Sequence, residues 1–319
     1  MILEVSELNL KKVNSTNIDV LAKLALLIVA FLWGSSLTVV KQASSVFNPN
    51  FILAIRFSLA CAILSLVFWK KIKASSQSDW INGLKIGFFL FIAYSSQTLG
   101  VTFADPGRSA FLSASYCVIV PFLAWGVLRK RPDKFNVIAA IFAVVGIYFV
   151  SMAGGSESSV FAMGKEAMIG DGLALLSGVL FASHIVAVAT FSKGKDPIVM
   201  TIIQFAIAAI LSWVVTLIFE DNSAIQATTS SIVELLYLAI MCTAVALLLQ
   251  NIGQKYTDES SAAIILGLES VFGILIPVMI GMEKLTTHTI IGFALIFIAI
   301  IISETKLSFL FKRNKPAIK

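Results

Sequence analysis

Apolar runs of about 20 residues, parted by short polar breaks, fill almost the whole chain. They lie at 21–40, 50–69, 82–102, 108–128, 135–152, 170–191, 197–219, 232–253, 260–281 and 287–304. Each is close to the roughly 20 residues that a helix needs to cross the hydrocarbon of a bilayer. A membrane barrel would require short strands of alternating polarity, and the runs lack that alternation. Helices, which satisfy their own backbone groups in lipid, are the remaining solution. The pattern predicts an all-α integral membrane protein with ten transmembrane helices.

The second five runs repeat the first five. A displacement of 148 positions sets Pro49 on Pro197, Arg56 on Gln204, Phe57 on Phe205 and Ala60 on Ala208. A displacement of 153 sets Gln97 on Gln250, Gly100 on Gly253, Asp105 on Asp258 and Ala110 on Ala263. The change of register falls in a polar loop, where insertions are tolerated. Five spans is an odd number, so the second copy enters the membrane from the opposite face. Two inverted five-helix repeats of this kind can build an alternating-access carrier with a site near the midplane. The expected division is a cytoplasmic N-terminal segment (1–20), a first repeat (21–152), an external Gly/Ser-rich linker (153–169), a second repeat (170–304) and a basic cytoplasmic tail (305–319).

Composition agrees with a bilayer as the solvent: 58% of the 319 residues are hydrophobic and 13% charged. That is too apolar for an ordinary soluble domain. The first 20 residues carry Glu4, Glu7, Lys11, Lys12 and Asp19 without a cleavage pattern, so the first span is expected to serve as the insertion signal. The net charge of +6 does not suggest nucleic acid, because the basic residues gather beside the spans. With the N-terminus inside, inner segments hold 17 Lys and Arg and outer segments only Lys41, Arg108, Lys165 and Lys284. The bias predicts a multi-pass protein of the cell membrane with both termini cytoplasmic. Trp69, Trp80 and Trp125 near span ends suit interfacial anchoring, and Cys61, Cys117 and Cys242, all within apolar runs, read as small buried hydrophobes.

At Leu32-Trp33-Gly34-Ser35-Ser36 the first span resembles the opening of the EamA family, within the drug/metabolite transporter superfamily. The resemblance runs through Arg56-Phe57 and through Ala110 to Pro121. It is clearest at Gly267-Leu268-Glu269-Ser270-Val271-Phe272, followed by Gly281-Met282-Glu283-Lys284-Leu285. Members of the family usually read Leu-Glu-Pro-Val in the ninth span. Ser270 stands here in place of that proline, and a straighter helix is expected from the change. The fourth span departs too, ending Leu128-Arg129-Lys130-Arg131-Pro132 where many members carry a glutamate. The resemblance implies a five-plus-five bundle around a central cavity that moves small metabolites such as amino acids or their derivatives.

Folding two repeats about a pseudo-two-fold axis would bring equivalent positions to opposite walls of one cavity. Polar residues at equivalent positions are therefore the candidates. Gln97 and Gln250 form such a pair; their amides can donate to and accept from a zwitterionic solute, or join helices to each other. Tyr116 and Glu269 form another, and a carboxylate near mid-span marks cation recognition, a proton site or a gate, with a structural ion pair as the alternative. Arg56, paired with Gln204, reads as a gating or structural charge, although its guanidinium also suits a substrate carboxylate. His184 aligns with Ser36 and reads as an interior histidine or a titrating group. Trp33 aligns with Phe181 and offers a flat wall to an apolar or cationic solute, or simple packing.

Soluble-enzyme signatures are missing: the sequence has no phosphate loop, no pair of histidines four apart and no serine nucleophile elbow. The expected function is secondary transport of small polar metabolites, as an exporter of amino acids or related compounds. A channel-like facilitator and an integral-membrane enzyme are the alternatives. Catalytic residues, metal ligands and cofactors are not expected. The expected partners are a small-molecule substrate, membrane lipids and protons as the coupling ion, in a monomer or homodimer.

Overall fold

The computed structural model describes residues 15–129, 131–152, 165–256 and 265–306. Most of the 153–169 linker, the first residues of the ninth predicted span, both chain ends, Ser158 and Lys130 lie outside the described residues. Among those described there is no strand. The helices are α1 (Ser15–Ala43), α2 (Pro49–Val67), the short α3 (Trp69–Lys73), α4 (Gln77–Phe103), α5 (Pro106–Ser113), α6 (Tyr116–Leu128) and α7 (Lys134–Met152). There follow α8 (Lys165–Phe191), α9 (Pro197–Phe219), α10 (Thr229–Leu236), a π-helical segment (Tyr237–Val245), α11 (Ala246–Tyr256), α12 (Glu269–Met279) and α13 (Thr287–Thr305). Seven helical stretches among the described residues are long and apolar enough to cross a membrane, and the helices over Lys134–Phe149, Ile265–Met279 and Thr287–Ser303 are shorter but apolar.

Local chemistry sets the helix ends. Pro49, Pro106 and Pro197 open α2, α5 and α9 at the position where a missing N–H costs nothing. Ser76 and Asp79 form a capping box at α4, and Thr228 with Ser231 does the same at α10. Asp196 accepts hydrogen bonds from the backbone N–H groups of Ile198 and Val199 (2.8 and 3.4 Å), which satisfies two otherwise orphaned donors of α9.

The fourth predicted span, 108–128, is one apolar run in sequence but two helices in space. The chain turns at Ala114 and Ser115, where N–H groups of Ser115, Cys117 and Val118 bond three residues back instead of four. That is 3₁₀ tightening. Leu268 repeats the device before α12, with its N–H on the carbonyl of Ile265 at 3.2 Å. Serine at position 270 therefore does not straighten the ninth span: the break needs only a change in backbone bonding, not a proline. Pro121 lies inside α6 and cannot bond the carbonyl of Cys117. The hydroxyl of Ser303 on α13 donates to that carbonyl at 3.0 Å instead.

Packing joins helices that are distant in sequence. α4 lies along α8 and α9, α1 along α11 and α12, α6 along α8, α2 along α9 and α7 along α13. Small residues permit the closest approaches. A Cβ on Gly100 would stand 3.1 Å from the backbone of Gly170 and Ala174, while Gly83 and Gly87 face Ile203 and Ile207 of α9. Gly170, Ala174, Gly178 and Ala182 are all buried on α8, as a close-packing stripe requires. The outer surface carries Leu84, Phe88, Ile141, Val144, Ile210 and Leu217 exposed, a coat suited to lipid and not to water. Trp69, Trp80 and Trp125 are exposed as well. The three cysteines are free thiols; Cys242 is buried, and Cys61 and Cys117 are half-buried.

Candidate functional site

A cavity of about 330 Å³ opens among α1, α2, α4, the α5–α6 break, α8, α9, the π-helical segment, α11 and α12. Trp33, Arg56, Gln97, Tyr116, His184, Gln204, Gln250 and Glu269 all line it. The lining also falls into pairs at the two sequence displacements. Trp33 and Phe181, Ser36 and His184, Leu37 and Ile185, and Arg56 and Gln204 are each 148 apart. Leu90 and Thr243, Tyr94 and Leu247, Gln97 and Gln250, and Tyr116 and Glu269 are each 153 apart.

The segment from Leu32 to Ser36 has a physical reason at every position. Leu32 gives its carbonyl to the thiol of Cys242 (3.2 Å), and the indole N–H of Trp33 donates to the carbonyl of Cys242 (3.2 Å). Gly34 faces α12: a Cβ there would come within 2.7 Å of the Glu269 carbonyl and would also meet Phe272. No other residue lets α1 pass so near that backbone. The hydroxyl of Ser35 shares a hydrogen bond with the hydroxyl of Tyr237 (2.7 Å), and Ser36 accepts from Arg56 Nη1 (3.3 Å). The motif thus fastens α1 to the π-helical segment and to α12.

Glu269 is the first residue of α12, and Tyr116 is the first residue of α6. The phenol donates to Glu269 Oε1 at 2.9 Å. A carboxylate in the first turn also meets the positive end of the helix dipole. Two broken helices therefore present their starts to one cavity, the arrangement by which interrupted membrane helices hold polar solutes.

Arg56 is buried. Its Nε donates to Thr243 Oγ1 at 2.6 Å, and its guanidinium lies over the Tyr94 ring at 5.0 Å. The structural alternative of an ion pair between Glu269 and Arg56 is not what the side chains do; each is held by its own neutral partners. The Thr243 hydroxyl in turn donates a hydrogen bond to the carbonyl of Leu238, five residues back, at 2.8 Å. That spacing belongs to the π-helical turn, so the local underwinding of the backbone is what aims Thr243 at Arg56. His184 Nε2 and Gln204 Oε1 are 2.8 Å apart, and Gln97 Nε2 donates to Ser113 Oγ at 3.1 Å. Gln250 has no side-chain hydrogen bond among the described residues.

Tyr94, Ser113 and Thr243 escape a search for paired polar positions. At the displacement of 153, Tyr94 and Thr243 fall on Leu247 and Leu90, and Ser113 falls on Leu266. A helical signal was present nonetheless. Leu90, Tyr94 and Gln97 share one face of α4 at four- and three-residue steps, and Thr243, Leu247 and Gln250 keep the same spacing.

A second polar cluster closes the end of the bundle where α1 and α4 finish and α5 and α8 begin. Arg108 and Asp171 form a buried ion pair. Glu283, in the turn after α12, accepts from the backbone N–H of Gly107 at 2.7 Å. Lys41 Nζ donates to the carbonyls of Thr102 (2.8 Å) and Ala104 (3.1 Å). Lys41 and Arg108 count as loop charges in the orientation bias, but they are built into this closure. Burial pushes the Glu283 carboxyl up to about 7, and nearby Asp105 adds to the rise.

Residues 20–152 and 168–305 match the family model described as the EamA-like transporter family. An uncharacterized transporter of Archaeoglobus fulgidus is 34% identical over 285 residues, covering 88% of this chain and 85% of that protein. The uncharacterized transporter YvbV of Bacillus subtilis is 25% identical, covering 88% and 91%. A solved crystal structure shares the fold with a TM-score of 0.64 at 18% identity, over 91% of this chain and 98% of that one.

Proposed function

Since this chain belongs to the EamA-like transporter family, and is thus a multi-pass membrane transporter, we propose that it is a secondary carrier of small polar metabolites. Ten membrane helices in two inverted halves form the carrier, both termini are cytoplasmic, and the cellular direction is export of amino acids or related compounds. The two stretches matched by the family model, and the recurrence of helix starts at Pro49 and Pro197, Tyr116 and Glu269, and Lys134 and Thr287, support the two-half reading.

The observation that carries the proposal is the paired lining of one cavity. Equivalent positions reach the same space only if the two halves face each other across it. The chemistry of the walls suits a zwitterion. Glu269 with Tyr116 can receive an ammonium group, Gln97 and Gln250 can donate to or accept from a carboxylate, and Trp33, Tyr94 and Phe181 can cover an apolar side chain. Rocking of one half against the other would then expose the cavity to each side in turn. A proton on Glu269 is the coupling ion in this reading.

Counterflow in liposomes tests it. Purified protein is reconstituted with an internal pool of mixed amino acids, and uptake of each labelled amino acid is followed. Saturable uptake driven by the internal pool is expected. Flux that rises linearly with concentration and ignores the internal pool would mean a channel-like facilitator instead.

A further inference from the structure

We propose that a groove on the lipid-facing side of α4, α8 and α9 binds one anionic phospholipid, its acyl chain among aromatic and aliphatic side chains and its phosphate on Lys85. The groove is separate from the transport cavity and shares none of its lining residues. Leu84, Lys85, Phe88 and Phe89 of α4, Phe191 at the end of α8, and Ile207 and Leu211 of α9 form it, around a volume of about 370 Å³.

Lys85 is the feature that selects the ligand. It stands eight positions into α4, about 12 Å along the helix axis from Gln77. Every other wall of the groove is apolar. The ammonium group lies 4.6 Å from the centre of the Phe191 ring and is exposed. Among the described residues it has no carboxylate partner and no hydrogen bond. The neighbouring Lys71 and Lys195 are engaged by Asp196 and Asp79 at 2.7 and 2.9 Å. A cation facing hydrocarbon without a protein counter-charge is expensive. The bilayer itself can supply the missing anion as a headgroup phosphate.

Charge complementarity points to an anionic headgroup over a zwitterionic one. The same end of the bundle carries Lys70, Lys71, Lys73, Lys193 and Lys195 against Asp79 and Asp196. Such juxtamembrane clusters attract anionic lipid. The aromatic rings of Phe88, Phe89 and Phe191 give an acyl chain a wall that bulk lipid does not provide.

The test uses full-length protein purified in a neutral detergent. Retained lipid is measured by native mass spectrometry after equilibration with phosphatidylglycerol or with phosphatidylcholine. Wild type should keep one phosphatidylglycerol in preference to phosphatidylcholine and gain thermal stability from it. Lys85→Gln should weaken that retention about five-fold, the scale of one surface charge on anionic lipid. Lys85→Arg should restore it, and Leu211→Trp, which fills the groove, should abolish it while counterflow in phosphatidylcholine liposomes continues. Equal retention of the two lipids by wild type, or unchanged retention by Lys85→Gln, would overturn the proposal. Stabilisation by glycerol phosphate alone, equal to that by the lipid, would overturn it as well and leave a simple anion site.

Discussion

Tyr116 and Glu269 stand 153 positions apart in sequence and 2.9 Å apart in space. Each begins the helix that resumes after a break, so the bond joins the two interrupted helices at the cavity. The geometry makes Tyr116 the donor and leaves the second carboxylate oxygen to face a solute or accept a proton. Glu269→Gln keeps the shape and removes the charge. It should reach the membrane folded and lose pH-dependent or cation-dependent flux. Tyr116→Phe removes one hydrogen bond, worth about 1.5–3 kcal/mol when the acceptor is charged, and should shift the pH dependence while leaving some transport. Flux across a pH gradient in liposomes checks both. Normal flux with a normal pH response in Glu269→Gln would remove the carboxylate from the mechanism.

The two glutamines differ in their surroundings. Gln97 is held by Ser113, whereas Gln250 has no hydrogen-bonded neighbour among the described residues. Both alanine variants should weaken substrate affinity more than folding, and Gln250→Ala should leave thermal stability the less altered. Leu99→Ala, on an exposed position of the same helix as Gln97, should leave affinity unchanged. Paired measurements of counterflow affinity and thermal unfolding separate these outcomes.

Glu283 predicts a pH dependence of stability. Its carboxyl rises from 4.5 to about 7 in the fold, chiefly by burial. The folded state then binds more protons than the unfolded chain between those values. This contribution to stability is complete below about 4.5 and is lost as pH rises through about 7. Glu283→Gln should flatten that part of the profile. Thermal unfolding in detergent from pH 4 to 8 reads the slope, and an unchanged slope in the variant would assign the dependence to other groups.

Gly34→Ala adds a methyl group where α1 passes the Glu269 carbonyl. Backbone lies on the far side of the contact, so it cannot yield as a flexible side chain would. A loss of about 1–3 kcal/mol is expected from such overpacking, together with reduced flux because Glu269 must shift. A melting temperature equal to wild type would show that the two helices separate without cost.

The proposed orientation puts Lys73 and Lys130 inside and Ser158 outside. Single cysteines at those positions, in a cysteine-free background, should react with an impermeant reagent from outside at 158 alone. Labelling at 130 without labelling at 158 would reverse the topology.

Helix identity was written in the sequence, because length and apolarity alone decide what a bilayer accepts. Runs such as 50–69 and 197–219 became α2 and α9 with their ends set by local proline and capping residues. The cavity-lining positions could also be chosen from the chain, since a match at a fixed displacement needs no coordinates to be recognised. Other features had no local signature. The breaks at Ala114–Ser115 and at Leu268 arise from backbone bonding that apolar composition does not encode, and the ninth span breaks without the proline that usually marks it. Arg56 found Thr243 and Tyr94 instead of Glu269 because a π-helical turn, a property of how Tyr237–Val245 packs on α1 and α2, swings Thr243 toward it. Lys41 and Arg108 looked like loop charges until the ends of four helices enclosed them. Periodicity is a property of neighbours along the chain, so the sequence determined the all-helical, apolar character; which polar groups meet depends on helices distant in sequence being brought together, and only the tertiary structure decided that.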